Sequence, residues 1–331
     1  MRLHTVPALI MIALLASGCA TTVQQGVFNK PFDFALIGDV PYTEEQETNL
    51  FPNMIRELNA AKLAFVVHDG DIKSGAAPCS DSVYEARLRD FQSFTHPLIY
   101  VFGDNEWTDC GRATNGFDPE ERLQKLREVF TKGDQSLGQR KLPLARQSND
   151  ARFAKFRENV RWTLGDVTFL TLNVQGSLNN YGKREFAERN AANLAWLKES
   201  FAFASVENRR AVMVILQANP LPERGGTNRV HAGYRDIVAA LERETLAFQK
   251  PVVLVHGDSH YFRIDKPLYG AKSHRRIENF TRVETFGNPD VHWLRVTIDP
   301  HDPEVFTFRP QMVKSNLVNH GSSKPVNTEH D

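Results

Sequence analysis

Two periodicities alternate along the chain. Short apolar runs of strand length recur at residues 32–37, 65–68, 98–102, 167–173, 211–216, 252–255 and 291–298. Between them, apolar residues fall at helical spacing over 44–64, 83–94, 119–132, 184–203 and 234–248. In the fourth of these segments, Leu194, Trp196 and Leu197 form the expected buried stripe. Gly165-Asp166 separates VRWTL from VTFLTL and predicts a two-residue hairpin. The β-α-β-α-β opening, then hairpin strands, then further β and α elements predict an α/β protein with one mixed sheet or a pair of sheets. No fixed-period repeat and no second domain boundary shows.

Four of the apolar runs stop at a Gly-Asp pair: FDFALIGD at Asp39, LAFVVHDGD at Asp71, PLIYVFGD at Asp104 and PVVLVHGD at Asp258. Gly-Asp is also an ordinary turn dipeptide, and Gly133-Asp134 in a polar stretch reads as one. After a buried strand, the same pair delivers a carboxylate to the strand's carboxyl end, where open α/β sheets place their ligands. Asp39 and Asp71 lie 32 residues apart and Asp71 and Asp104 lie 33 apart, each about one βαβ unit. The first three therefore belong side by side on one rim. Carboxylates gathered there repel one another unless a cation sits among them, so a metal site is expected. The segment His256-Gly257-Asp258-Ser259-His260 adds two imidazoles to the donor set.

Composition narrows the setting. The chain has 331 residues, 41% hydrophobic and 24% charged, which is ordinary for a globular protein. Lys+Arg and Asp+Glu are both 40, so net charge gives no basic field for nucleic acid, and none is expected as a partner. Met1-Arg2, an apolar stretch over 7–16 and Ala16-Ser17-Gly18-Cys19 read as a secretory signal too short to span a membrane. The LLASGC ending resembles the cleavage box of bacterial lipoproteins, in which Cys19 becomes the lipidated first residue. A plain signal peptide cut nearby is the alternative. Ala20 after the cysteine points to the outer membrane, so the protein is expected to be exported and lipid-anchored in the bacterial envelope, facing the periplasm. Removing residues 1–18 takes away Arg2 and no acid, leaving 39 basic against 40 acidic side chains. Residues 19–31 read as a tether, 32–313 as one domain, and the polar 314–331 as a disordered tail. Export implies an oxidising compartment. Cys79 and Cys110 then remain as the expected disulfide, with two free thiols as the alternative.

The spaced motifs resemble the calcineurin-like metallophosphoesterase family over about residues 32–299. That family's pattern is Asp-x-His, Gly-Asp-x-x-Asp, Gly-Asn-His-Asp/Glu, a lone His, then Gly-His-x-His. Here it reads Asp39-Val40-Pro41, Gly70-Asp71-Ile72-Lys73-Ser74, Gly103-Asp104-Asn105-Glu106, a region around Gln217-Ala218-Asn219-Pro220, and Gly257-Asp258-Ser259-His260. The resemblance implies a four-layer sandwich, two mixed β-sheets flanked by helices, that hydrolyses a small phosphoester with metal-activated water as nucleophile. It implies Asp39, Asp71 and His260 around one ion, with Asp71 bridging to a second held by Asp104, Gln217 and Asp258. Pro41 stands where the first site expects a His, and Asn105 stands where the family's catalytic His would be. His256 or Glu106 is then the candidate acid, and Lys73 and Arg263 are candidate contacts to the substrate phosphate. Imidazoles are lost and oxygen donors gained, which favours one or two Mg²⁺, Mn²⁺ or Ca²⁺ over Zn²⁺ or Fe. The losses also leave a second reading, a metal-binding scaffold without hydrolysis that holds an anion or a protein. Tyr42, Trp107 and Tyr261 flank the motifs as pocket walls or core. His68 reads as a packed residue behind the ligands. The polar stretch from Asn173 to Tyr181 is a candidate cleft loop.

Overall fold

The computed structural model describes residues 30–112, 115–221 and 230–317. The predicted signal and Cys19 lie outside them, as do residues 318–331 of the predicted tail. Among the described residues, twelve strands form two sheets. The first, in spatial order β12-β11-β1-β2-β3, contains β1 (Phe32–Ile37), β2 (Val66–His68), β3 (Leu98–Tyr100), β11 (Trp293–Ile298) and β12 (Phe306–Gln311). The second, β4-β5-β6-β7-β8-β10-β9, contains β4 (Ala145–Arg146), β5 (Val160–Leu164), β6 (Val167–Thr171), β7 (Ala211–Ile215), β8 (Val252–His256), β9 (Arg263–Asp265) and β10 (Phe280–Glu284). Strands β1, β2 and β3 run parallel, as do β6, β7, β8 and β10, with antiparallel strands at the edges.

The central strands are mostly apolar because both of their faces are covered. In β1, Phe34 and Leu36 point into the core between the sheets, while Ala35 and Ile37 point into the core under the helices. In β7, Ala211, Met213 and Ile215 face the inter-sheet core, and Val212 and Val214 face outwards. Helices α1 (Phe51–Ala60), α2 (Asp81–Gln92) and α3 (Pro119–Phe130) cover the first sheet through Phe51, Met54, Leu58, Phe91 and Leu126. Beyond the one-turn α4 (Gly176–Asn179), α5 (Phe186–Val206) and α6 (Arg235–Phe248) cover the second through Trp196, Leu197, Ile237 and Leu241. The layers are helix, sheet, sheet, helix, which is the expected four-layer sandwich. Gly165 and Asp166 have φ of +57° and +60°, the paired left-handed residues that the predicted tight hairpin between β5 and β6 requires.

Several expectations shift. The 44–64 helix opens with a wide turn at Gln46–Leu50 and ends at Ala60. Packed chain continues past Val313 through a turn at Lys314–Asn316. There the Asn316 amide donates to the Leu50 and Val291 carbonyls, so the tail does not fray from 314. No described helix is long and apolar enough to cross a membrane. Cys79 and Cys110 form the disulfide, with Cα atoms 5.8 Å apart, tying the loop after β2 to the loop after β3.

Candidate functional site

The parallel strands of both sheets end at one rim. Asp39 follows β1, Asp71 follows β2, Asp104 follows β3, Gln217 follows β7 and Asp258 follows β8. Asp39, Asp71, Asp258 and His260 all have positive φ, between +51° and +76°, a backbone state that short polar residues tolerate and β-branched ones do not. The two sheets are stitched here: Asp258 N–H donates to Asp39 Oδ1 at 3.0 Å, and Asn288 N–H donates to the Asp39 carbonyl at 3.0 Å.

Three of the four Gly-Asp glycines, Gly38, Gly103 and Gly257, are seats for a carboxylate from elsewhere on the rim, and Gly70 is the seat for Gln217. A Cβ on Gly103 would lie 2.0 Å from Asp71 Oδ1, and one on Gly257 would lie 2.0 Å from Asp39 Oδ2. Gly176 closes the other side: its Cβ would lie 2.2 Å from Asp258 Oδ1 and 2.7 Å from Asp104 Oδ2. Its backbone tolerates alanine, so Gly176→Ala is a steric probe. It is expected to push these two carboxylates apart and lower the melting temperature of the chelator-treated chain, an overpacking cost of about 1–3 kcal/mol read by thermal melting.

A cavity of about 460 Å³ opens over the rim, lined by Asp71, Asp104, Asn105, Asp258 and His260 of the motifs, with Arg112, Ser177, Leu178 and Asn219 around them. Sequence reasoning missed Arg112, whose guanidinium pairs with Asp109 at 2.7 Å. Only its proximity to Cys110 pointed to it. Ser177 and Leu178 come from the candidate cleft loop. Residues 177–180 all have positive φ, a single left-handed turn. Such a turn costs about 1–2 kcal/mol per residue. Buried Arg189 holds it through the Asn179 carbonyl and side-chain oxygens and the Asn173 carbonyl, while Ser177 Oγ donates to Asp109.

Other predicted residues sit elsewhere. Glu106 lies beneath the site, accepting from Tyr100 Oη and from the N–H groups of Gly103, Asp71 and Ile72. It braces the loops and does not line the cavity, which corrects its expected role as an acid. His256 is fully buried, its Nδ1–H donating to the Gly257 carbonyl, and burial pulls its pKa down to about 3, so it stays a neutral imidazole with no acidic imidazolium proton to give. Lys73 is buried among Glu106 and Asp71, with Nζ donating to the Ser74 carbonyl; it balances charge inside the protein instead of meeting a substrate. Arg263 pairs with Glu284 and does not line the cavity. His68 is packed as expected, against Phe51, Phe91 and Tyr100.

Charge is concentrated at the rim. Burial pushes the Asp39, Asp71 and Asp104 carboxyls well above their usual range, and neighbours add to it: Asp69 at Asp39, Asp104 at Asp71, and Asp258 at Asp104. A group whose pKa is raised on folding contributes its stability at low pH and loses it as pH rises through the raised value. Buried His68 and His256 act in the opposite direction, so a difference between variants isolates the carboxylate effect. Asp104→Asn is expected to raise the melting temperature of chelator-treated protein at neutral pH, at about 2–4 °C per kcal/mol relieved. The gain should vanish towards about pH 4, where the unfolded carboxyl is half protonated. A pH-independent gain in a melting series would refute this.

The donor chemistry suits a hard cation. Asp39 Oδ2 is buried with no hydrogen-bond partner, Gly103 and Gly257 leave room for the Asp71 and Asp39 carboxylates, and the donors are mostly oxygen. Among the described residues, however, no three His, Cys, Asp or Glu side chains converge as a closed ligand set. At the expected second position, Gln217 turns its NH₂ to Asp104 Oδ1 and Asp258 Oδ1, both at 3.3 Å, because its oxygen accepts from Gly176 N–H. The atom predicted to bind metal thus faces away, and the amide occupies the gap between the two carboxylates.

No protein-family model and no curated protein matches the chain. Among solved structures, PhoD matches with a TM-score of 0.53 at 12% identity over 82% of this chain, which spans 64% of that protein. GAP50, the anchor in the inner membrane complex of Plasmodium, gives 0.48 at 11% identity over 86% of this chain and 90% of its own. TT1561 of Thermus thermophilus gives 0.44 at 10% identity, over 86% and 99%. With its two mixed sheets between helical layers, this chain has a metallophosphoesterase-like fold.

Proposed function

We propose that this protein hydrolyses a small phosphoester with the help of a divalent cation. The observation that supports it best is the convergence of Asp39, Asp71, Asp104 and Asp258 on one strand-end rim, with the Asp39, Asp71 and Asp104 carboxyls pushed up by burial and by their acidic neighbours. Asp39, Asp71 and His260 hold the cation. When bound, it supplies Lewis acidity towards the phosphoryl group and acidifies water. Arg112 offers its guanidinium to the substrate's anionic oxygens at the cavity edge, and Leu178 gives the leaving group an apolar wall. Asn105 donates its amide to Asp71 and Tyr42 and has no proton to transfer. Without a general acid, esters with poor leaving groups react about 10²–10⁴-fold more slowly, so aryl esters are the favoured substrates. Oxygen-rich coordination favours Mg²⁺, Mn²⁺ or Ca²⁺. The N-terminal sequence supports export and lipid anchoring at Cys19 in a bacterial envelope.

The Gln217 amide between Asp104 and Asp258 favours a second reading, a scaffold that binds an anion or a protein without hydrolysis. One assay separates them. The purified mature chain is presented with aryl phosphomonoesters and diesters in Mg²⁺, Mn²⁺, Ca²⁺ or chelator. Turnover that appears only with cation supports the hydrolase; its absence on every ester leaves the scaffold.

A further inference from the structure

The loop after β1 reads Asp39-Val40-Pro41-Tyr42. Pro41 has no side-chain donor atom, so it cannot face a cation as a histidine there would. The next residue does. Tyr42 Oη is 2.9 Å from Asp71 Oδ2, 3.2 Å from His260 Nε2 and 3.0 Å from Asn105 Nδ2. His260 Nε2 is in turn 3.6 Å from Asp39 Oδ1. Asp39 Oδ1, His260 Nε2, Tyr42 Oη and Asp71 Oδ2 thus form a chain of donors with successive gaps of 3.6, 3.2 and 2.9 Å. Donors about 2.0–2.2 Å from one ion stand roughly 2.8–3.6 Å from their neighbours in octahedral or tetrahedral arrangements. The gaps match that spacing. They also explain why carboxylates and imidazole alone do not close a set: the vertex between Asp71 and His260 is a phenol oxygen.

Two further observations point the same way. The phenol has one proton, which it donates to Asp71 Oδ2, and in the Nδ1-protonated tautomer that metal binding requires, His260 Nε2 is a second acceptor facing the same proton. A cation removes that conflict. Independently, Asp39 Oδ2 is buried and unpartnered at the far end of the chain of donors. The Tyr42 backbone is pinned for the role: its N–H donates to Gln46 Oε1 at 2.7 Å, and Gln46 Nε2 donates to Asn288 Oδ1 at 2.7 Å. Its ring meets the His260 ring edge-on at 5.2 Å.

We propose that Tyr42 supplies the protein ligand that Pro41 cannot, completing a site for one hard cation with Asp39, Asp71 and His260. This rests on the metal-dependent reading above and sharpens it to a single ion, since the Gln217 amide fills the second position. A phenol oxygen in place of imidazole also moves the site further towards Mn²⁺ and Mg²⁺.

The test is calorimetric titration of Mn²⁺ into the metal-free mature chain and its Tyr42→Phe variant, with melting in chelator to confirm that both are folded. One Mn²⁺ per wild-type chain is expected, with affinity about 10–100-fold weaker in the variant. A second measurement needs no variant: Mn²⁺ should perturb the near-ultraviolet tyrosine band of the wild-type protein. Equal affinity in the two proteins, or a tyrosine band blind to bound ion, overturns the Tyr42 assignment and leaves the hydrolase reading standing. Two ions per wild-type chain overturns the single-ion site. A wild-type protein that binds no Mn²⁺ removes the metal-dependent reading and this assignment together.

Discussion

Replacing Asp71 by Asn is expected to cut cation-dependent turnover of aryl phosphates by at least about 10²–10³-fold, the scale of losing one preorganised electrostatic contact at a reacting centre. Asp71 is the carboxylate on which most of the site leans. Its Oδ1 accepts from Asn105 N–H, and its Oδ2 accepts from the Asn105 amide and from Tyr42 Oη. It also faces Asp39, Asp104 and Asp258 closely enough that each raises its pKa. An asparagine keeps the volume and one acceptor, so the loops have little reason to move. What disappears is the charge a cation needs. The variant should therefore melt no lower than wild type in chelator, and it should lose the stabilisation that Mn²⁺ gives the wild-type chain. Activity that survives in Asp71→Asn at wild-type level would show that the reaction is not run from this rim.

Loss of the Cys79–Cys110 bridge has the next largest expected effect. The two cysteines are 31 residues apart, and closing a loop of that length restricts the unfolded chain by about 3–4 kcal/mol. Changing both to Ser is expected to lower the melting temperature by roughly 10 °C. Both residues are buried, and they sit on the loops that carry Asp71 and Asp104. The bridge therefore stiffens the cation-binding side of the first sheet as well as the fold. Thermal melts with and without reductant test this, and a reductant-insensitive melt would count against it. Cation affinity should fall in the double variant even well below its melting temperature, because loop order is lost before the core is.

The β1 bounds matched the sequence reading because Phe34–Ile37 is a continuous apolar run buried on both faces, with Asp33 at its entry pairing with Arg295 and Thr297. Strand β10 was invisible for the opposite reason. Its sequence is FTRVE, and its Arg282 and Glu284 are buried only because Asp265 and Arg263 pair with them from the neighbouring strand. Pairing across 17 and 21 residues leaves no local pattern. At the site, the carboxylates were legible as strand ends. Roles that depend on which way a side chain turns were not. Glu106 and Gln217 stand at motif positions, yet one braces the loops from below and the other turns an NH₂ group to the carboxylates. The left-handed turn at 177–180 was equally hidden, since it is held by Arg189 from a helix downstream and not by glycine.

The seating of one motif's carboxylate on another motif's glycine reaches beyond packing. Asp39 ends a strand of the first sheet and rests on Gly257, which follows a strand of the second. A side chain gained at Gly257 has no room unless Asp39 shortens or leaves, and a longer acid at Asp39 has no room unless the loop after β8 retreats. The two halves of the rim are thus locked into a shared history: neither can drift in sequence while the other stands still. Covariation between positions 39 and 257, and between 71 and 103, is the trace this lock should leave in descendants of the chain.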